Sequence, residues 1–259
     1  MASTEPLPSI TIVTPSFQQA RFLERTIQSI IGQNYPRLEY LIFDGGSTDG
    51  SVEIIKKYAD RINFWVSEKD DGQSDAINKG LSRATGEIVG WINSDDTMAP
   101  GSLEAIGTYY RAHQDAEFLY GHLNLIDADD HIIRRLFAVQ TNAHELIYFN
   151  RNLFSQPGTT WRRRLQERIG LLDRSLHYTM DCDLYIRAAK ATPLHFIPRR
   201  LANLRIHGDT KTKLMKPRFD AEHKLLDERY GARSTNRIVK QFFNLRRRMR
   251  ILRCLANWK

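Results

Sequence analysis

Cysteine is scarce. Cys182 and Cys254 are the only two in 259 residues, too few and too far apart for a disulfide framework or a thiolate zinc site, and they read most simply as free thiols in a reducing compartment. Long apolar runs are missing as well. No stretch is long enough to span a bilayer, and no charged, apolar, small-residue leader opens the chain, so neither a transmembrane helix nor a signal peptide is expected and the chain is placed in the cytoplasm. Acid is lacking in one region: Arg233 to Lys259 holds nine basic residues and no acidic one, which leaves 29 basic against 30 acidic residues in the first 232. The net charge of +8 therefore belongs to a tail, and a nearly neutral body argues against nucleic acid as its partner.

What is present is an ordinary globular composition, 41% hydrophobic and 26% charged, in a chain long enough for one large α/β domain and a tail. The β-branched run Ser9 to Phe17 reads as a strand. It is followed by Arg21 to Gln33, where Phe22, Thr26, Ile27, Ile30 and Ile31 share one helical stripe. The alternation repeats: strand Leu38 to Asp44 and helix Ser47 to Ala59, strand Ile62 to Glu68 and helix Ser74 to Ala84, then strand Glu87 to Asn93. Such alternation predicts parallel βαβ units with right-handed crossovers and helices on both faces of the sheet. Tyr120 to Val139 reads as short strands around an acid-rich hairpin turn, Asp127 to Asp130, expected to be simply solvated.

Open α/β sheets bind ligands outside the carboxyl ends of their strands. Polar residues gather at those ends: Thr14, Pro15 and Ser16 after the first strand, Asp44 after the second, Asp95 and Asp96 after the fourth. Adjacent carboxylates raise each other's pKa and persist more readily beside a positive charge, for which a divalent cation carrying a diphosphate is an economical source. The alternative is that each Asp caps the helix that follows it, as Asp96 could.

Four segments in order, "TIVTPSFQQARFLERTIQSIIGQNYP", "EYLIFDGGSTDGSVEII", "GQSDAINKGLSRATGEIVGWINSDD" and "MDCDLYIRAA", resemble a family 2 glycosyltransferase of the GT-A fold over roughly residues 8 to 210. The resemblance implies a Rossmann-like mixed α/β sheet with helices on both faces. A nucleotide-binding half (about 8–100) and an acceptor half (about 101–215) would form one domain over residues 1–232, with a helical tail at 233–259. It implies an inverting, metal-dependent transferase moving a sugar from a nucleotide-diphosphate donor, a UDP-sugar foremost, to a saccharide or glycolipid hydroxyl in cell-surface polysaccharide synthesis.

By the same resemblance, Thr14, Pro15, Ser16, Asp44, Gly72, Asp75, Asn78 and Asp95 line the nucleotide-sugar pocket, with Asp44 expected on the base. Asp95, Asp96 and His207 are the expected ligands of Mg²⁺ or Mn²⁺, hard ions that bridge carboxylate and phosphate oxygens. Asn93 stands where many relatives carry the first Asp of this segment. Asp181 is the expected general base with Asp183 as alternative, and Met180 replaces the first acid of the usual Glu-Asp pair. The other reading of this pair is a helix N-cap plus an ion pair from Asp183 to Arg187, four residues on. Gln156 and Trp161 are expected in the acceptor wall.

Two rival readings remain. A haloacid-dehalogenase-type phosphatase would want an acid two residues after Asp44, where Gly46 stands. A non-catalytic nucleotide-sugar-binding scaffold draws its weight from Asn93 and Met180. In the tail, Ile238, Phe242, Leu245, Met249, Leu252 and Ala256 recur at spacings of four and three among arginines. This basic amphipathic helix suits attachment to anionic lipid on the cytoplasmic face of the membrane, pairing with another helix, or packing back on its own domain.

Overall fold

The computed structural model describes residues 6–148, 153–208 and 216–232, together with 241, 243–245 and 248–252. Four parallel strands open the chain: β1 (Ile10–Ser16), β2 (Leu38–Asp44), β3 (Phe64–Ser67) and β4 (Ile88–Trp91). They are linked by α1 (Ala20–Ile31), α2 (Ser51–Lys57) and α3 (Gln73–Arg83). The expected start of α2 at Ser47 is displaced to Ser51 because Ser47 is used elsewhere. Its hydroxyl donates to Asp44 Oδ1 at 2.6 Å and accepts the Gln18 N–H at 2.8 Å, while Asp49 takes the Ser51 N–H at 3.1 Å.

The second half adds β5 (Thr97–Met98), α4 (Ser102–Ala112), β6 (Phe118–Ile126), β7 (Ile132–Leu136), α5 (Ala143–Tyr148), β8 (Thr160–Arg162), α6 (Arg163–Ile169), α7 (Met180–Ala191), β9 (Leu194–Arg205) and α8 (Lys216–Arg229). The sheet runs β3-β2-β1-β4-β8-β6-β9-β5, with β7 paired to β6 as the expected hairpin. Short β8 is antiparallel to both β4 and β6, and β9 is parallel to β6. The carboxyl end of β9 therefore shares an edge with those of β1, β2 and β4, and the segment after it, with His207, reaches the same place as Asp95.

Strand alternation sorts the core into two layers. Ile10, Ile12, Tyr40 and Ile42 face α1 and α4 through Leu23, Ile27, Ile30, Leu103 and Ile106. Val13, Leu41 and Phe43 face the other way, onto Ala76, Ile77 and Leu81 of α3 and a cluster continuing through Leu165, Leu184 and Leu226. Val13 leaves no room for a side chain on Gly80, where a Cβ would collide with both valine methyls. That close approach brings α3 down onto β1.

Candidate active site

Immediately after β4 the chain turns sharply, the Asp96 N–H donating to the Asn93 carbonyl at 3.1 Å. Thr26 of α1 holds the turn from below, its hydroxyl lying 2.8 and 2.7 Å from the Ser94 and Asp96 carbonyls. Asp95 and Asp96 consequently diverge. Asp96 is buried, with Oδ1 accepting the Arg205 N–H at 2.8 Å and Oδ2 facing the Asn93 amide at 3.3 Å. Burial pushes its pKa well above the ordinary carboxylate range, and the charge of Asp95 adds to the rise. Asp95 keeps an exposed edge, and its Oδ2 lies 3.1 Å from His207 Nε2.

A positive charge stands beside the two acids without touching either carboxylate, and sequence reasoning missed it. The buried Arg205 guanidinium donates from Nε to the Asp95 carbonyl at 2.6 Å and from Nη1 to the Asp127 carbonyl at 2.9 Å, and pairs through Nη2 with Asp130 Oδ1 at 2.6 Å. Phe22 of α1 is its platform, 5.0 Å beneath the guanidinium, and also carries the His207 ring at 4.6 Å. The acid-rich turn is accordingly more than a solvated loop, because Asp130 bridges Arg205 and Arg25, the latter at 2.8 Å. Burial acts to raise the Asp130 pKa, but the two guanidinium groups outweigh it and hold it below normal. Nothing in the spacing of "DADD" signals this role, since both arginines lie far away in sequence.

Of the three expected metal ligands, the structure brings Asp95 and His207 together and turns Asp96 away from them. Among the described residues no group of three or more His, Cys, Asp or Glu side chains could hold a metal ion, because Asp96 is turned inward to Arg205 and Asn93. Asp95 and His207 do fit one as a pair. Two ligands each about 2.1 Å from an octahedral ion and at right angles stand about 3 Å apart, and the carboxylate oxygen and imidazole nitrogen are 3.1 Å apart.

At the neighbouring strand ends the predicted residues take unequal parts. Ser16 Oγ is buried and has no hydrogen-bond partner among the described residues, as a group waiting for a ligand would be. Thr14 is occupied by the Tyr40 hydroxyl at 3.1 Å. Asp44 clamps its own loop, accepting from the Gly46 and Ser47 N–H groups and from the Ser47 and Ser67 hydroxyls at 2.6–3.1 Å. With four donors in place, the carboxylate shapes the Gly45–Gly46 backbone. Gly72 starts α3 with φ of +102°, a conformation that favours glycine.

Asp75 is flanked by Lys79 and Arg174, each at 3.4 Å. Burial opposes its ionisation, yet the Asp71 N–H and these cations keep its pKa low. Asn78 anchors the chain at Leu172, its amide donating to the Leu172 carbonyl and accepting the Leu172 N–H, each at 2.9 Å.

Both expected acceptor-wall residues are packed into the interior. Trp161 is fully buried in β8, lies parallel to Phe118 with ring centres 6.1 Å apart, and donates its indole N–H to Gln166 at 2.9 Å. No face is left for a sugar. Gln156 is buried, donating to the Trp91 carbonyl at 2.7 Å and facing the Asn93 amide at 3.4 Å. Asn93 in turn accepts from Gln73 of α3 at 2.8 Å. Where a carboxylate was expected, an amide thus ties α3, β4 and the segment before β8 together.

Asp181 opens α7, partly buried, with Oδ1 accepting the Cys182 N–H at 2.8 Å. Burial raises its pKa, and the nearby negative charge of Glu222 reinforces the shift. A raised pKa makes a carboxylate a better proton acceptor while it is ionised. Asp183, the alternative base, is buried, with Arg187 Nε at 2.8 Å, Arg229 Nη1 at 2.9 Å and the Tyr230 hydroxyl at 2.6 Å on its two oxygens. The expected ion pair to Arg187 is therefore present, as part of a larger cluster joining α7 to α8. Glu222 of α8 holds the segment leading into α7, accepting the N–H groups of His177, Tyr178 and Thr179 at 2.8–3.0 Å.

Fold and site together describe a GT-A-like α/β sheet whose carboxyl edge carries an acid–imidazole pair, a buried serine without a hydrogen-bond partner among the described residues and an acid with raised pKa. The chain belongs to glycosyl transferase family 2, whose family model matches residues 11–187. An uncharacterized glycosyltransferase of Rickettsia typhi is 26% identical over 211 residues, covering 79% of this chain and 66% of the relative. A putative teichuronic acid biosynthesis glycosyltransferase of Bacillus subtilis is 35% identical over 100 residues, 38% of this chain and 40% of the relative. The chain spans just under two thirds of the length of the first relatives it matches. Among solved structures, S. aureus TarS 1-349 in complex with UDP-GlcNAc superposes with a TM-score of 0.68 at 16% identity, over 84% of this chain and 65% of that one. A mannosyltransferase of Pyrobaculum calidifontis in complex with GDP-Man and Mn²⁺ gives 0.62 at 19% identity, over 86% and 66%. Among the described residues no helix is long and apolar enough to cross a membrane.

Proposed function

We propose that this chain transfers a sugar, with inversion, from a nucleoside-diphosphate donor to a hydroxyl of a saccharide or glycolipid. The observation that carries the reading is the Asp95–His207 pair, delivered by the ends of β4 and β9 to one point 3.1 Å across. Asp95 and His207 would hold a divalent cation, Mn²⁺ or Mg²⁺, which when bound neutralises charge developing on the departing diphosphate. Ser16, with its unpartnered hydroxyl, and the loop clamped by Asp44 would line the nucleotide. Asp181 would remove the acceptor's proton as its oxygen attacks the anomeric carbon from the face opposite the leaving diphosphate, which inverts that centre.

A uridine donor is favoured by TarS, solved with UDP-GlcNAc and with UDP. A part in cell-surface polysaccharide synthesis is favoured by the B. subtilis relative and by an E. coli chondroitin synthase that is 22% identical over 236 residues. The test is donor hydrolysis by the purified chain across a panel of nucleotide sugars with Mn²⁺. Metal-dependent release of nucleoside diphosphate is expected. Donor binding without any turnover would favour the scaffold reading instead.

A further inference from the structure

The tail segment is helical at 241, 243–245 and 248–252. Two of its residues show which side meets the domain. Phe243 packs against the core cluster that contains Leu184 and Leu226, and Arg250 Nη1 donates to the Gln140 carbonyl and to Glu145 Oε1, both at 3.1 Å. Within the run 248–252, Met249 and Leu252 lie three residues apart and share a side turned away from that of Arg250. Leu245, Met249 and Leu252 are 55%, 46% and 63% exposed. The described tail residues thus combine contacts to the domain with apolar side chains left facing outward. Of the expected stripe, Ile238, Phe242 and Ala256 lie outside the described residues.

We propose that this outward face of the tail binds an anionic membrane surface, holding the domain against the bilayer. The charge pattern selects that occupant. Nine basic and no acidic residues lie between Arg233 and Lys259, and Arg248, beside the stripe, is exposed. An amphipathic helix of this kind buries its apolar side chains at the headgroup boundary while arginines reach the phosphates, each basic residue near the surface strengthening the attachment. A second copy would bring the same excess of positive charge, so homotypic pairing is opposed. Nucleic acid would satisfy the arginines but gives Leu245, Met249 and Leu252 nothing apolar to bury against. This inference stands apart from the transfer reaction, because binding to lipid is read without donor or metal.

The test is flotation of the full chain with vesicles of phosphatidylcholine alone and of phosphatidylcholine with about one third phosphatidylglycerol. Binding is expected only to the anionic vesicles, weakening with added salt. The triple substitution Leu245→Glu, Met249→Glu, Leu252→Glu should reduce binding at least about tenfold with an unchanged melting temperature. Leu252→Glu alone, at the most exposed of the three positions, should give a smaller loss in the same direction and keeps the test decisive if the triple variant folds poorly. Equal binding to both vesicle types, no binding to either, undiminished binding by the variants, or a dimer in solution that the substitutions dissolve would each overturn the proposal.

Discussion

Glu222 of α8 fixes Thr179, the residue that precedes α7, its carboxylate accepting the Thr179 N–H at 3.0 Å and facing the Thr179 hydroxyl at 3.1 Å. The anchor lies two residues ahead of the proposed base. Glu222→Gln keeps the shape but turns an amide N–H toward backbone donors, and should cost roughly 1–3 kcal/mol of stability, seen as a lower melting temperature. Removing the negative charge beside Asp181 lowers the pKa that Glu222 helps to raise, so the acid limb of the pH–rate profile should move to lower pH. A melting change with an unmoved limb would leave Glu222 a purely structural anchor.

Asp181 must be ionised to accept a proton, and its pKa is raised by burial and then by Glu222. The rate should therefore fall as pH drops through a value above the ordinary Asp range of about 4. Asp181→Asn should lose about 10²- to 10⁴-fold in transfer rate while nucleotide binding, measured by calorimetry, stays intact. Normal turnover by that variant would remove Asp181 from the role.

Asp95 and His207 should act as one unit. With Mn²⁺ present, Asp95→Ala and His207→Ala should each weaken donor binding, and the double variant should lose little more than either alone, a coupling of about 1–3 kcal/mol in a double-mutant cycle. Without metal the four proteins should bind donor alike. Additive losses would mean that the two side chains do not share a cation.

Gly80→Ala tests the closeness of α3 to β1. The added methyl would collide with Val13, and overpacking of this kind costs about 1–3 kcal/mol. Chemical denaturation should show the loss, and combining it with Val13→Ala should recover part of it. An unchanged midpoint for Gly80→Ala would mean that the helix can shift outward freely.

Much of the fold follows from local pattern. The β1-to-β4 half was legible because each strand and helix carries its own period and Gly, Asp or Ser punctuation within about ten residues. The strand-end rule then located Ser16, Asp44 and Asp95 on one edge. Antiparallel β8, wedged between β4 and β6 with three residues, was not legible, since so short a strand has no period to detect.

What the sequence alone determined is which residue types stand at the strand ends, the order of the family motifs and the confinement of basic charge to the tail. Only the tertiary structure decided which side chains are spent on other parts of the protein. Trp161, Asn78, Gln156, Asp183 and Asp96 read as site residues from their positions, yet each is consumed by a partner at least four residues away, and Asn78 by one 94 residues away. Arg205, Glu222 and Asp130 carry no motif and become supports of the site through contacts across 43 to 110 residues. Hydrogen-bonding capacity is local, but its satisfaction is decided by packing.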